Sequence, residues 1–443
     1  MASHLIGLML GLEDDWPTAF ESLLGRAKLD INHGGERHTF TTERVTIEPF
    51  DLRMKPRHRL VIDRLAWWYF MPREWLKKIA MMDEVYLLND PFTFQSMEKH
   101  TAYCAMMRLG LHIPETWMLP NKSGPENERY PGTSRRYNRL FSLEQVAEEI
   151  GYPLFMKPFD GGAWVGVTRV NDARDLHRAY DASGQRLMHL QKAILDYDVF
   201  VRSLSIGPQT RLMKYRPERP LHDRYDVGLD FLDESVAEEV ESIGRVVNAF
   251  FRWEFNSCET LVKGGVVSPI DYANACPDVS VISLHAHFPW AITALLRWSV
   301  FCAASGRKMA IDMDKRRYFE IADRADLSYA QKIAEYRRLS DEYFNTGGVG
   351  GFEEFCGKHL AHLDEVAHEY FTGGEFDELL VRTVRDAFRP HEQEQFVSHY
   401  RQMIALWADG EGSRKNSPQR HREHRGKTGF KPEVPKVEVK RSG

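Results

Sequence analysis

Lys157 closes an apolar run, Tyr152-Pro153-Leu154-Phe155-Met156-Lys157-Pro158, and Asp160-Gly161-Gly162-Ala163-Trp164-Val165-Gly166 follows at once. An ammonium at the end of a buried strand needs a polar partner. Glycines expose backbone N–H groups and allow an anion such as a triphosphate to approach closely. Lys157 with Gly161, Gly162 and Gly166 is therefore a candidate phosphate cradle, although the spacing matches neither the P-loop nor the GxGxxG pattern. The bland alternative is a hairpin with a snorkelling lysine.

Two further groups follow. Asp198 and Arg202 are four apart in an apolar strand-like run, which puts them on one face. A carboxylate there can take both ribose hydroxyls, and an arginine can hold phosphate oxygens. Across the Gly207-Pro208-Gln209 turn, Lys214 and Arg216 share a face, and with Arg202 they suit developing negative charge. The alternative is a salt-bridged, solvated hairpin. Glu259 and Asp271 come next, flanking Gly264-Gly265. With a three-residue turn at Gly264 to Val266 they lie directly opposite one another, and paired like charges on a sheet call for a cation. Asn274 offers a third, neutral oxygen. Tyr272 and Ala273 separate it from Asp271, so a bulge or turn at Tyr272 is needed to bring the two to one side. A purely local turn at Asp271 and Asn274 is the competing reading.

The elements that must position these groups are legible as periodicity. Leu5 to Leu10, Leu60 to Ile62 and Val85 to Leu88 read as buried strands. The aromatic run Trp67-Trp68-Tyr69-Phe70, with Trp75, reads as core packing rather than a ligand box. Phe92 to Leu109 reads as a helix with Gly110 as its cap, and Pro120 to Leu140 as a loop. Ser142 and Gln145 form a capping box that opens a helix to about Ile150. Strands are expected at Leu154 to Lys157, Val165 to Val170 and Met188 to Gln191, with a helix from about Asn171 between the last two. Hairpins are expected at Val199 to Tyr215 and Trp253 to Asp271, with a helix over Asp233 to Phe250 between them. After Pro289 the chain reads as helical to about Trp407.

The order of these groups resembles the ATP-grasp superfamily, especially the branch of glutathione synthetases and ribosomal-protein glutamate ligases. The resemblance covers about residues 85 to 280. It implies an α+β fold in which two subdomains clamp ATP, here residues 91–285. A pre-ATP-grasp α/β domain (1–90), a helical C-terminal region (286–410) and a disordered basic tail (411–443) would complete the chain. By the same resemblance, Lys99 and Lys157 reach the nucleotide phosphates under the Gly161, Gly162 and Gly166 loop. Gln191, Lys192 and Ile194 form the adenine hinge, and Asp198 binds ribose. Arg202 and Arg216, or Lys214, serve the transferred phosphoryl group. Glu259, Asp271 and Asn274 hold Mg²⁺, with Mn²⁺ as an alternative. The hinge begins with Gln191 where Glu is common, and the first metal residue is Glu259 where Asp is common. The implied activity is ATP-dependent ligation of a small-molecule or peptide carboxylate to an amine through an acyl phosphate. A phosphorylated or thioester product, or a non-catalytic nucleotide-binding module, are the alternatives, the last favoured by the displaced Asn274.

The bulk properties agree with such a chain. Its 443 residues are 43% apolar and 28% charged, enough for two or three domains. No run of 18 apolar residues suggests a membrane span. Five cysteines without a CxxC pair fit free thiols in a reducing, cytoplasmic setting. From Glu411 onward ten Lys/Arg face four Asp/Glu, so the net charge of −5 conceals an acidic body. That body argues against nucleic acid as a partner. The helical third is a candidate dimerisation surface or substrate lid.

Overall fold

The computed structural model describes residues 1–93, 99–137, 139–162, 164–275, 277–310 and 314–415. The first apolar runs become strands of one five-stranded sheet: β1 (Ala2–Met9), β2 (Ile31–His33), β3 (Glu36–Arg44), β4 (Leu60–Asp63) and β5 (Tyr86–Leu88), in the order β2-β3-β1-β4-β5. β1 runs parallel to β3 and β4, and β4 parallel to β5, as crossover helices dictate. The hairpin β2–β3 has no counterpart in the sequence reading. Its residues are mostly polar and half-exposed at the sheet edge, so no apolar alternation marks it.

A second sheet follows, with β6 (Thr116–Leu119), β7 (Leu154–Pro158), β8 (Thr168–Val170) and β9 (Met188–Lys192) in the antiparallel order β6-β9-β7-β8. Helices Leu143–Ile150 and Ala173–Ser183 cover it. The first is capped by Ser142 Oγ, which accepts from the Gln145 N–H at 3.1 Å. The expected loop at residues 120–140 contains a short exposed helix, Tyr130–Tyr137. Leu119, Leu154, Met156, Leu176 and Leu190 form a core that shares no residue with the other two clusters. This body is held together separately from the rest.

The third sheet has β10 (Val199–Ile206), β11 (Gln209–Lys214), β12 (Phe255–Lys263) and β13 (Val266–Ala275) in the order β11-β10-β12-β13. Helix Glu234–Phe251 packs Val240, Ile243 and Val247 onto one of its faces, beside Val201 and Val262. The helix Lys99–Arg108 joins the same core through Ala102, Tyr103 and Met106. Phe94 and Met97, expected at its start, lie outside the described residues.

The C-terminal third is helical as expected, and its first long helix is part of the core. Phe288–Ala304 is apolar all round and almost wholly buried, the signature of an interior helix. It packs on β1, β4 and β10 and so ties the first sheet to the third. Tyr336, Phe344 and Tyr400 are fully buried in the same shared cores. At the β10–β11 turn, Gly207 has φ +56°, and a Cβ there would lie 2.3 Å from the Trp298 ring, so only glycine fits. Trp298 in turn donates to Glu254 at 2.8 Å. Among the described residues no helix is long and apolar enough to cross a membrane.

Candidate active site

The second and third sheets face each other across a cavity of about 400 Å³, to which the loop after β4 also contributes. Eleven of the expected site residues line it: Lys99, Lys157, Gly161, Gly162, Gln191, Lys192, Ile194, Arg202, Glu259, Asp271 and Asn274.

On the second-sheet side, Lys157 is buried, and its ammonium donates to Gln191 Oε1 at 2.7 Å. Gln191 Nε2 donates onward to Thr116 Oγ1 at 2.8 Å, which fixes the amide's orientation. The Gln191 in place of the common Glu thus gives Lys157 a neutral partner. Lys99, at the start of its helix, donates to the Gly161 carbonyl at 3.0 Å and pairs with Asp271 Oδ2 at 2.9 Å. Lys99 therefore links the glycine-rich loop to the third sheet. Gly166 closes that loop outside the cavity. Its φ of +77° and a Cβ position 2.9 Å from Pro158 Cγ require glycine there. Phe155, Val167, Ile194, Leu261 and Ile270 make the apolar part of the wall.

Burial lowers the Lys157 ammonium to about 8, against the opposing pull of Asp271. The folded chain therefore holds this proton less tightly than the unfolded chain does. The resulting cost is fully present below about pH 8 and is relieved as pH rises from there towards 10.5, the ordinary value for a lysine. Lys157→Met keeps the stem and removes the charge. It is expected to raise stability at pH 7 by on the order of 2–3 kcal/mol, with the gain shrinking above pH 8. Urea titrations at pH 7 and pH 10 check this. An equal gain at both pH values, or a loss at pH 7, would contradict it.

On the third-sheet side, Glu259 lies directly opposite Asp271. The route differs from the one expected. The β12–β13 turn is the two-residue Gly264-Gly265, and an extra residue at Ile270 shifts the register by one, so the pairing is recovered. A second shift follows between the Glu259–Asp271 and Ser257–Asn274 pairs. This is the bulge that the two intervening residues demanded. It sends Tyr272 into the core and brings Asp271 and Asn274 together on the cavity. Burial raises the Glu259 carboxyl above its ordinary range, and Arg202 pulls it back. Asp271 Oδ1 is buried and has no hydrogen-bond partner among the described residues. Two facing carboxylates, one with an unsatisfied oxygen, and a nearby amide oxygen suit a hard cation that keeps water and phosphate ligands. Among the described residues no group of three or more His, Cys, Asp or Glu gathers to hold a metal ion, so a cation here would rest on this acid pair and the Asn274 amide.

Arg202 donates to Tyr225 Oη at 2.8 Å and to Ser257 Oγ at 3.3 Å, both neutral. The expected partners Lys214 and Arg216 do not join it. In the register Val201 pairs with Lys214 and Arg202 with Met213, so Lys214 and Arg216 fall on the opposite face. Both turn to Asp226, Arg216 at 2.8 Å and Lys214 at 3.8 Å. Tyr215 and Arg224 take the cavity positions instead, because the chain returns to pair Tyr225 with Tyr215. Asp198 is also off the cavity. It precedes β10, is exposed, and accepts from the Gly264 N–H at 2.7 Å, capping the neighbouring hairpin turn.

The aromatic run after β4 matches its reading as core only in part: Trp67 and Trp75 pack against the core, and the residues between Trp67 and Met71 do not. Trp67 and Trp68 line the cavity, and Trp68, Tyr69 and Phe70 are 60%, 59% and 76% exposed. Arg64 also lines it. The signal that could have found these residues is their place just beyond the C-terminal end of a central parallel strand, where open α/β sheets bind ligands.

No protein-family model matches the chain. Over 89 residues it is 30% identical to the vancomycin B-type resistance protein VanB of Enterococcus faecalis, a match covering 20% of each chain. Over 182 residues it is 28% identical to the D-alanine–D-alanine ligase of Streptomyces avermitilis, covering 36% of this chain and 44% of that one. The chain thus spans less than half the length of these curated relatives. Among solved structures, the RimK domain ATP-grasp protein of Sphaerobacter thermophilus covers 66% of this chain and 97% of its own. That likeness is distant, at 13% identity and a TM-score of 0.44. The two α+β bodies face each other across one cleft in the manner of an ATP-grasp fold, and the local matches make the chain similar to D-alanine–D-alanine ligases.

Proposed function

We propose that the protein is an ATP-dependent carboxylate–amine ligase working through an acyl phosphate. One observation carries the reading. Two ammonium groups and a glycine-rich loop on one wall of a single cavity face an acid pair and two guanidinium groups on the other. Lys99, Lys157 and the Gly161-Gly162 backbone would hold the nucleotide phosphates, and the apolar wall by Ile194 and Leu261 would take adenine. Glu259, Asp271 and Asn274 would hold Mg²⁺, which supplies neutralisation of phosphate charge when bound. Arg202 and Arg224, whose hydrogen bonds go to neutral oxygens, would orient the substrate carboxylate and steady the acyl phosphate. An amine then displaces phosphate. No nucleophilic side chain is needed, because alignment and charge neutralisation do the work.

The non-catalytic reading drew its support from the displaced Asn274. The bulge in β13 removes that support by bringing Asn274 to the cavity beside Asp271. The test is ADP release measured with an acid alone, an amine alone and both. A ligase is expected to give sustained release only with both. Release with acid alone and a stable phosphorylated product would contradict it.

A further inference from the structure

We propose that the carboxylate substrate carries a planar apolar side group that lies on Trp68 and Trp67, with its carboxylate at Arg202 and Arg224. This rests on the ligase reading above and adds a substrate class to it.

The turn that presents the two tryptophans is built rather than incidental. Asp63, fully buried at the end of β4, accepts from the Leu65 and Ala66 N–H groups at 2.9 and 3.0 Å. Arg73 reaches back to donate to the Ala66 and Trp67 carbonyls, each at 2.7 Å. Trp68 N–H and Tyr69 N–H both bond the Leu65 carbonyl, at 2.9 and 3.0 Å. Arg64 pairs with Glu13 at 2.9 Å and also donates to the Pro277 carbonyl, three residues beyond Asn274. The turn is thereby fastened to the loop that leaves the acid pair.

The backbone is thus pinned while the Trp68 ring stays largely in solvent, at the wall of the same cavity that holds Arg202 and Arg224. A single exposed apolar residue needs no explanation, but a run of them beside a cavity marks an interaction site. Trp67 and Trp68 meet edge to face, 6.3 Å between centroids, and the exposure of Trp68 leaves ring surface open to stack on a flat group. A small aliphatic acid would leave that face uncovered, whereas an aromatic one would cover it and still reach the guanidinium groups.

The test uses the full chain, MgATP, hydroxylamine as a surrogate amine and matched acids: phenylalanine against alanine, and 3-phenylpropionate against propionate. The acid's oxygen takes the γ-phosphoryl group and ADP leaves. The hydroxylamine nitrogen then displaces inorganic phosphate to give the hydroxamate. The proposal expects the aromatic acids to be preferred in kcat/KM. Trp68→Ala is expected to raise KM for them by roughly tenfold, with the aliphatic acids and MgATP affinity unchanged and Trp68→Phe restoring the preference. ADP release with aliphatic acids favoured, or an unchanged KM in Trp68→Ala, would overturn the aromatic side group and leave the ligase standing. No ADP release with any acid, while MgATP still binds, would overturn both.

Discussion

Replacing Glu254 by alanine is expected to cost about 3–5 kcal/mol of stability, the usual loss when one member of a buried charged network is removed. Glu254 is 2% exposed and stands where the first sheet, the third sheet and the central helix meet. Its Oε1 accepts from Tyr86 Oη at 2.6 Å and Tyr343 Oη at 2.8 Å, and its Oε2 from Trp298 Nε1 at 2.8 Å. Arg307 lies 3.4 Å from Oε1 and also donates to the Tyr343 carbonyl at 2.6 Å. Removing the carboxylate strands three buried donors and one cation at once, in a fold whose net stability is about 5–15 kcal/mol. Glu254→Gln keeps the volume but can turn an NH₂ toward the Trp298 N–H, which only donates. Its loss is therefore expected to shrink in a Trp298→Phe background. Urea unfolding of the five chains (wild type, the three single variants and Glu254→Gln with Trp298→Phe) measures this, and a loss below about 1 kcal/mol for Glu254→Ala would contradict the network's role.

Asp271→Asn is expected to lower MgATP-dependent turnover by at least about 10²-fold while leaving the fold intact. Asp271 faces Glu259 across the β12–β13 pair, an arrangement that repels without a cation and is partly relieved by Lys99 at 2.9 Å. Neutralising one acid removes that repulsion, so thermal stability should hold or rise as turnover falls. A cation site is the kind of place where the local pairing is unfavourable and its removal costs function rather than fold. A structural role for Asp271 would instead show as unfolding in step with lost activity. Full turnover in Asp271→Asn would remove it from the metal site.

Much of this was legible in the sequence because the relevant signals are local. The lysine near the end of β7, the glycines after it and the bulge demanded by Tyr272 and Ala273 follow from spacing on strands, whereas the acid pair was expected through a turn one residue longer and is restored by the extra residue at Ile270. The parts that were not legible depend on register and on distant chain segments. Lys214 and Arg216 were expected beside Arg202, but a face is assigned only once Val201 is seen to pair with Lys214. Arg224 reaches the site because the chain doubles back after β11, which no periodicity announces. Trp68 reads as core by residue type alone, and only the buried Asp63 and Arg73 contacts turn it outward. The C-terminal helices carry a plain helical signal. Their part in joining the first and third sheets comes from which faces they bury, a tertiary property.

Calorimetric titration of MgATP into the wild-type chain and Lys157→Ala, with and without Mg²⁺, tests the central claim most directly. The cavity described here predicts saturable binding that needs Mg²⁺ and is lost or strongly weakened in Lys157→Ala. A folded wild-type chain that binds no MgATP, or equal binding by the variant, would contradict the assignment of this cleft as the nucleotide site.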